Sequence, residues 1–382
     1  MKLRIATYNV ENLFRRAAIL NLQDHARVDE LLEKVRILQG LLSKPEYDQA
    51  LKDQVFEVTQ PLVRFIEIRR DAGSLGDWKK ENGITGFRIN SGCKGRKDWI
   101  GEITFKAQEF SDEQRRNTGK VIKALDADIL CLVEVEGMNV LKDFNSQILG
   151  TKKFSQFVMI DSPNDPRGID VACLTKHKVT ALKTHVFDAG KKFNPVFSRD
   201  CLEVAIDVGL NQPIFVLCNH FKSQSGKSDA ERARGAEKRD DQSWRVVEIL
   251  KAYDLQKQYV VVLGDLNEDS ANANQSLARL FKVKGLTPLV DPDAPATERY
   301  TYFYGRAKKG ERLNQLDYIF LSEPLRKALT ATGFERRGIY DIERITEKEG
   351  APVQTGFPEI TSWDLGASDH AGLWAEFDLP VK

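Results

Sequence analysis

Nine short runs of β-branched and other apolar residues recur along the chain, and few of them are separated by a helix-length amphipathic segment. They are Leu3 to Val10, Ile129 to Val135, Phe157 to Ile160, Asp170 to Thr175, Cys201 to Val208, Ile214 to His220, Tyr259 to Gly264, Leu316 to Leu321 and Ala371 to Phe377. Runs this short, bounded by turn residues, read as strands. The pattern predicts two sheets packed face to face with helices outside. Two of those helices have a legible start, because a Ser followed three residues on by Gln or Glu satisfies orphan amide groups: Ser111 with Gln114 opens a helix to Leu125, and Ser228 with Glu231 opens one running toward Leu250.

At 382 residues the chain exceeds the usual single-domain size. The stretch from about Arg15 to Phe110 explains the excess, since it does not read as regularly spaced strands and looks inserted after the first one. Val28, Leu31, Leu32, Val35 and Leu38 recur at helical spacing, Pro45 breaks the run, and Leu51, Val55 and Phe56 resume it. The expectation is one domain spanning residues 1–382, with 15–110 a mainly helical insertion. Between Arg64 and Lys120 basic residues outnumber acidic ones and Trp78, Phe87, Trp99 and Phe105 are interleaved with them. Such a mixture suits a nucleic-acid surface, but more often it is a solvated face with a few packed aromatics.

Lys and Arg number 57 against 56 Asp and Glu, so the global balance gives no reason to assume a polyanionic partner and any basic surface must be local. Thr7, Tyr8 and Asn9 interrupt the apolar start too early for a signal peptide, and no later segment approaches membrane-spanning length. Five cysteines are scattered without a CxxC pair, four of them in strand-like runs. Buried reduced thiols and a cytoplasmic location are the expectations, with no membrane and no obligate protein partner.

The strand ends carry the chemistry. "VVLGDLNED" halts on Gly264 and offers Asp265 and Asn267; the first strand stops at Asn9, Glu11 and Asn12. "ADILCLVEVEG" ends with Glu134 and Glu136, "VLCNHFKS" with Asn219, His220 and Lys222, "QLDYIFLS" opens with Asp317, and "SDHAGLW" sets Asp369 and His370 before the last strand. Any one of these reads as ordinary turn or capping chemistry. Six such strand ends together do not, because each would need its own coincidental charged or amide group.

Taken in order, "TYNVEN", "DILCLVEVEG", "RGIDVACL", "NHFKS", "GDLN", "LDYIFLS" and "SDH" resemble the endonuclease/exonuclease/phosphatase family, over the core from Met1 to Asn12 and from Ser111 to Phe377. The resemblance implies a four-layer α/β sandwich and metal-dependent hydrolysis of phosphate esters. It also implies roles. Glu134 and Asp369 match metal-binding carboxylates, with Glu11 a further acidic group near the metal and Asn9 a site-orienting amide. Asp265 matches the group that orients or deprotonates water, Asn267 its amide neighbour on the phosphate, His370 the phosphate-binding histidine, Asp317 the carboxylate that orients it. His220 occupies a position held by histidine or tyrosine.

Those roles agree with the chemistry of an anionic diester, which needs its charge neutralised, a water activated and the departing oxygen helped. Oxygen ligands without a Cys or His cluster at zinc spacing favour Mg²⁺, with Mn²⁺ as a substitute. Arg167, Asp170, Arg199 and Lys222 sit at strand boundaries where a phosphate could be met. The expected function is a divalent-metal-dependent phosphodiesterase, a nuclease acting on DNA. A phosphoesterase on a phospholipid head group or small phosphoester, and a catalytically silent binding module of the same fold, are the alternatives. The long insertion departs from the family pattern and leaves the substrate open.

Overall fold

The computed structural model describes residues 1–13, 19, 25–106, 113–165, 168–224, 226, 228–271, 275–304, 312–348, 350 and 354–380. The chain divides into two compact units, Met1–Phe14 with Phe110–Lys382, and Arg15–Glu109.

The larger unit is built on two six-stranded sheets. The first runs in the order Leu329–Glu335, Gly372–Asp378, Lys2–Leu13, Ile129–Val135, Asp170–Thr175, Gln156–Met159. The second runs Leu286–Pro288, Asp317–Ser322, Tyr259–Asp265, Ile214–His220, Cys201–Asp207, Lys178–Lys183. Each has one parallel pair at its centre, Lys2–Leu13 with Ile129–Val135 and Ile214–His220 with Tyr259–Asp265, flanked by antiparallel pairs.

Alternation along the strands explains the layering. Leu3 and Ile5, Ile129, Cys131 and Val133, Val216 and Cys218, and Val261 and Leu263 point into one core between the sheets. Their neighbours face outward but stay covered. Tyr8, Val10, Leu130 and Leu132 pack under helix Glu113–Leu125, while Leu217, Val260 and Val262 pack under helix Asp229–Leu250. The result is helix, sheet, sheet, helix, the expected four-layer α/β sandwich. Ser228 caps the second helix as its sequence predicts, accepting from Glu231 N at 3.2 Å. The proposed start of the first at Ser111 lies outside the described residues. All five cysteines are free and buried. No helix among the described residues is long and apolar enough to cross a membrane.

The smaller unit holds two helices where the sequence suggests them and two β-ribbons besides. Helices His25–Leu42 and Gln49–Thr59 follow the apolar spacing, but Ile66–Gly73 then pairs with Trp99–Phe105 and Gly76–Glu81 with Ile84–Ile89. Asn82 and Gly83, both at positive φ (50° and 86°), make the tight turn of the second ribbon. An Asn-Gly pair is the strongest short hairpin signal, but Lys79, Lys80 and Glu81 beside it are exposed and give no alternation. Its cations and aromatics are largely engaged with one another. Phe87 and Trp99 are buried, Trp78 meets Phe87 edge-on at 5.6 Å, and the Arg96 guanidinium lies 4.2 Å over Trp99. Arg88 is paired with Glu81 at 2.6 Å and Asp53 at 2.7 Å. The mixture is packing chemistry at these positions.

Candidate active site

Strand register assembles the first half of the site. In the second sheet His220 is the parallel partner of Asp265, and Asp265 the antiparallel partner of Asp317, so three strand ends present three polar groups in one row. Gly264 makes this close spacing possible: a Cβ there, at φ 134°, would stand 1.9 Å from the Asn219 carbonyl oxygen. Asp265 is then held from its own loop. Asn267, at φ 53°, donates its backbone N–H to Asp265 Oδ1 at 2.8 Å and its side-chain amide to Oδ2 at 3.1 Å.

The first sheet supplies the rest through two irregularities. Its central parallel pair runs in register to Asn9 opposite Val133 and slips before Leu13 opposite Val135. Glu11 and Glu134, inside the slip, take φ of 47° and 69°. A non-glycine residue in this left-handed region is uncommon, and paired examples at strand ends mark places where a bulge re-aims side chains. Glu134 Oε1 lies 3.8 Å from His220 Nε2, and Glu11 Oε2 accepts from Asp369 N at 3.1 Å. Asn9 closes the gap between sheets by donating to Asp265 Oδ2 at 3.0 Å, with its amide nitrogen 3.5 Å from His370 Nε2.

His370 is fixed at its other nitrogen. Nδ1 is 2.8 Å from Asp317 Oδ2, while Nε2 faces Asp265 Oδ2 and Asp369 Oδ1, each at 3.9 Å. Burial opposes a charged imidazole here, but the field and hydrogen bond of Asp317, with Asp265 and Asp369, outweigh it and hold the His370 pKa well above its ordinary value. Asp265 shifts upward to about 7, chiefly because it is buried; the positive His370 pulls the other way and Asp317 adds to the rise. The arrangement therefore offers a fixed cationic donor beside a carboxyl able to take a proton near neutrality.

Nine of the expected site residues converge in this way: Asn9, Glu11, Glu134, His220, Asp265, Asn267, Asp317, Asp369 and His370. The other four do not join the same network directly. Arg167 lies outside the described residues. Asp170 is buried, accepts from Ser162 N at 3.1 Å, and has its pKa raised to about 7 by burial. Arg199 is buried, its Nε 2.5 Å from Asp165 Oδ2, and reaches the Phe221 carbonyl at 3.3 Å. That carbonyl also accepts from the Asn267 side chain at 3.2 Å, so Arg199 stands one hydrogen bond removed from the network. Lys222 is half-buried, with its backbone N–H on Gln242 Oε1 at 2.9 Å.

Sequence reasoning missed Ser368 and Thr301. Ser368 Oγ donates to the Asn9 carbonyl at 2.8 Å and accepts from His370 N at 3.0 Å, tying the last strand to the first. The Ser two residues before His370 was the available signal. Thr301 Oγ1 accepts from Leu316 N and Asp317 N at 3.0 and 2.9 Å, and no local pattern announces it.

The donor set fits a hard divalent cation. Glu134 and Asp369 side chains are 12 % and 28 % exposed, whereas Asp265 and Asp317 are 2 % and 0 % exposed. Open carboxylates from Glu134, Asp369 and Glu11 are oxygen donors suited to such an ion. Asp265, Asp317 and His370 also offer atoms within 4.8 Å of one another. There the 2.8 Å contact of Asp317 Oδ2 with His370 Nδ1 is an arrangement for holding a proton, and Asp317 Oδ1 and His370 Nε2 are the donor atoms left over.

No curated protein matches the sequence. Among solved structures, the chain is similar to truncated TDP2 of Caenorhabditis elegans (17 % identity, 70 % of this chain and 90 % of that one, TM-score 0.44). It is also similar to the human Nocturnin catalytic domain with bound sulfate (15 %, 70 % and 87 %, 0.46) and to beta toxin of Staphylococcus aureus (15 %, 69 % and 92 %, 0.45). The sequence profile described as Endonuclease/Exonuclease/phosphatase family matches residues 94–332, a span that holds Glu134, His220, Asp265, Asn267 and Asp317, while Asn9, Glu11, Asp369 and His370 reach the site only through the fold. With well over half of its length so matched, the chain belongs to the endonuclease/exonuclease/phosphatase family.

Proposed function

We propose that the protein is a divalent-metal-dependent phosphodiesterase that hydrolyses nucleic acid, with DNA as substrate and Mg²⁺, or Mn²⁺ in its place, as the cofactor, and that it works in the cytoplasm. The observation that carries this reading is the Asn9–Asp265–His370–Asp317 chain of contacts set against the more open carboxylates of Glu134 and Asp369.

Glu134 and Asp369, with Glu11, would hold the cation, which when bound neutralises charge on the non-bridging phosphate oxygens. The remaining work falls to the chain. His370, kept cationic by Asp317, donates from Nε2 to a phosphate oxygen, where developing charge strengthens the bond. Asp265 orients the attacking water and accepts its proton at Oδ2, with Asn9 and Asn267 fixing that carboxylate. His220 Nε2, 3.7 Å from the same oxygen, bounds the water's position. Of the four expected substrate contacts, Lys222 would border the substrate, while Asp170 and Arg199 are buried behind it.

The test is a gel assay with plasmid, linear duplex, single-stranded DNA and RNA, each with Mg²⁺, Mn²⁺ or chelator. Metal-dependent cleavage of DNA is expected. Full activity in excess chelator removes the metal mechanism. Turnover of a choline phospholipid or a small phosphoester with none of any nucleic acid moves the enzyme to another substrate class.

A further inference from the structure

One face of helix Asp229–Leu250 gathers positive charge beside the site. Arg234 and Lys238 stand one turn apart, a like-charged spacing that costs an isolated helix a few tenths of a kcal/mol. Both reach the same ring, with the Arg234 guanidinium 5.6 Å and the Lys238 ammonium 5.7 Å from the centre of Phe193. Between them the helix has Gly235, where a Cβ would lie 3.9 Å from Lys222 Cγ, so the Lys222 stem runs across the same face. Among the described residues, neither Arg234 nor Lys238 has a carboxylate within ion-pair distance; Asp165, which pairs with Arg199, attracts Lys238 from further off, and Glu237 pairs with Lys192 at 3.3 Å.

The fold invests in this arrangement. Phe193 sits on a loop whose Lys191, Lys192 and Phe193 backbone N–H groups all donate to the buried Asp241 carboxylate, at 2.8, 2.9 and 2.9 Å. Asp241 belongs to the same helix. Gly190 permits the approach, since a Cβ there would meet Asp241 Oδ2 at 2.1 Å. Arg239 fastens the helix to the strand end, donating to the Lys222 carbonyl at 3.1 Å and to Glu268 at 2.8 Å. Burial pushes the Lys238 pKa down, with the like charges of Lys222 and Arg234 adding and the Asp165 carboxylate pulling the other way.

We propose that Arg234, Lys238 and Lys222, braced by Phe193, form a second anion site that receives the phosphate adjacent to the one being cleaved. The inference rests on the nucleic-acid reading above and adds a length requirement to it. Lys222 follows His220 by two residues, at most about 7 Å of chain, so its backbone lies within one nucleotide step of the strand end. The ligand chemistry is a backbone phosphodiester, taken by charge without reading the base.

The experiment compares wild type, Arg234→Ala/Lys238→Ala and the charge-retaining Arg234→Lys/Lys238→Arg on a dinucleoside monophosphate, which has no flanking phosphate, and on tri- to hexanucleotides. Wild-type kcat/KM should rise about tenfold once the flanking phosphate is present. The alanine double variant should lose most of that rise and lower the log–log salt slope by about 0.7, the value for one single-strand phosphate. The charge-retaining variant should recover it. An equal length gain in wild type and the alanine variant overturns the second site alone. Wild type that hydrolyses bis(p-nitrophenyl) phosphate but no oligonucleotide overturns the nucleic-acid reading, and the second site with it.

Discussion

The buried carboxyl of Asp265 makes affinity for the divalent cation depend on pH in a calculable way. Its pKa is raised to about 7, principally by burial, so below that pH the metal-free protein carries a proton there, and a dication held nearby by Glu134 and Asp369 favours the ionised form. The apparent dissociation constant should therefore rise as pH falls through 7, by at most the factor 1 + 10^(7−pH) that full mutual exclusion gives: about tenfold at pH 6 and about a hundredfold, or about 3 kcal/mol, at pH 5. His370, held protonated far above the usual histidine range, does not titrate in that window. Calorimetric titration of Mg²⁺ and Mn²⁺ between pH 5 and 8, in buffers of different ionisation enthalpy, gives both the affinity and the protons released. Asp265→Asn keeps the shape and removes the proton, so its affinity should be flat. A wild-type affinity independent of pH refutes the reasoning. So does a slope that survives in Asp265→Asn, which would assign the proton to another group.

Asp170, also raised to about 7 by burial, has a folded pKa above its unfolded one, so its contribution is fully present near pH 4 and lost as pH rises through 7. Asp170→Asn should then gain stability over wild type between pH 5 and 8, by about 2.7 kcal/mol unscreened and about 1.3 after solvent screening, and urea melts that show a constant difference refute this. His370→Ala and Asp317→Ala should be non-additive in kcat/KM, because each disables the same hydrogen-bonded pair; a double variant that loses the product of the two single losses separates them. Gly264→Ala drives a Cβ against the Asn219 carbonyl and should cost about 2–4 kcal/mol by thermal melting, with a change under 0.5 kcal/mol contradicting the close approach.

The strand ends were legible because period-two apolar runs break off where Asp265, His220 and Glu134 begin. What made neighbours of them was not. The register setting His220, Asp265 and Asp317 in one row arises from pairing between segments far apart in sequence. The left-handed backbone at Glu11, Glu134 and Asn267 leaves no compositional trace, since none is a glycine. Lys178–Lys183, Leu286–Pro288 and Leu329–Glu335 escaped notice because all three lie at sheet edges, where the alternation of buried and exposed residues fades. Period two would put Lys222 on the side of His220, but the strand ends at His220 and the Lys222 stem turns onto the helix at Gly235.

The central position of Lys2–Leu13 has a consequence for synthesis. It is flanked by Ile129–Val135 and by Gly372–Asp378, so it waits for a segment made much later to complete its sheet. Some 360 residues separate Leu13 from Gly372, which at about 5–20 residues per second is a delay of roughly 20–70 s. Throughout it one side of a buried strand has no neighbour, an invitation to association with other nascent chains. The same delay withholds Ser368 and His370 from Asn9, so an unfinished chain, or one stalled before residue 368, carries Asp265 and Asp317 without the histidine they serve.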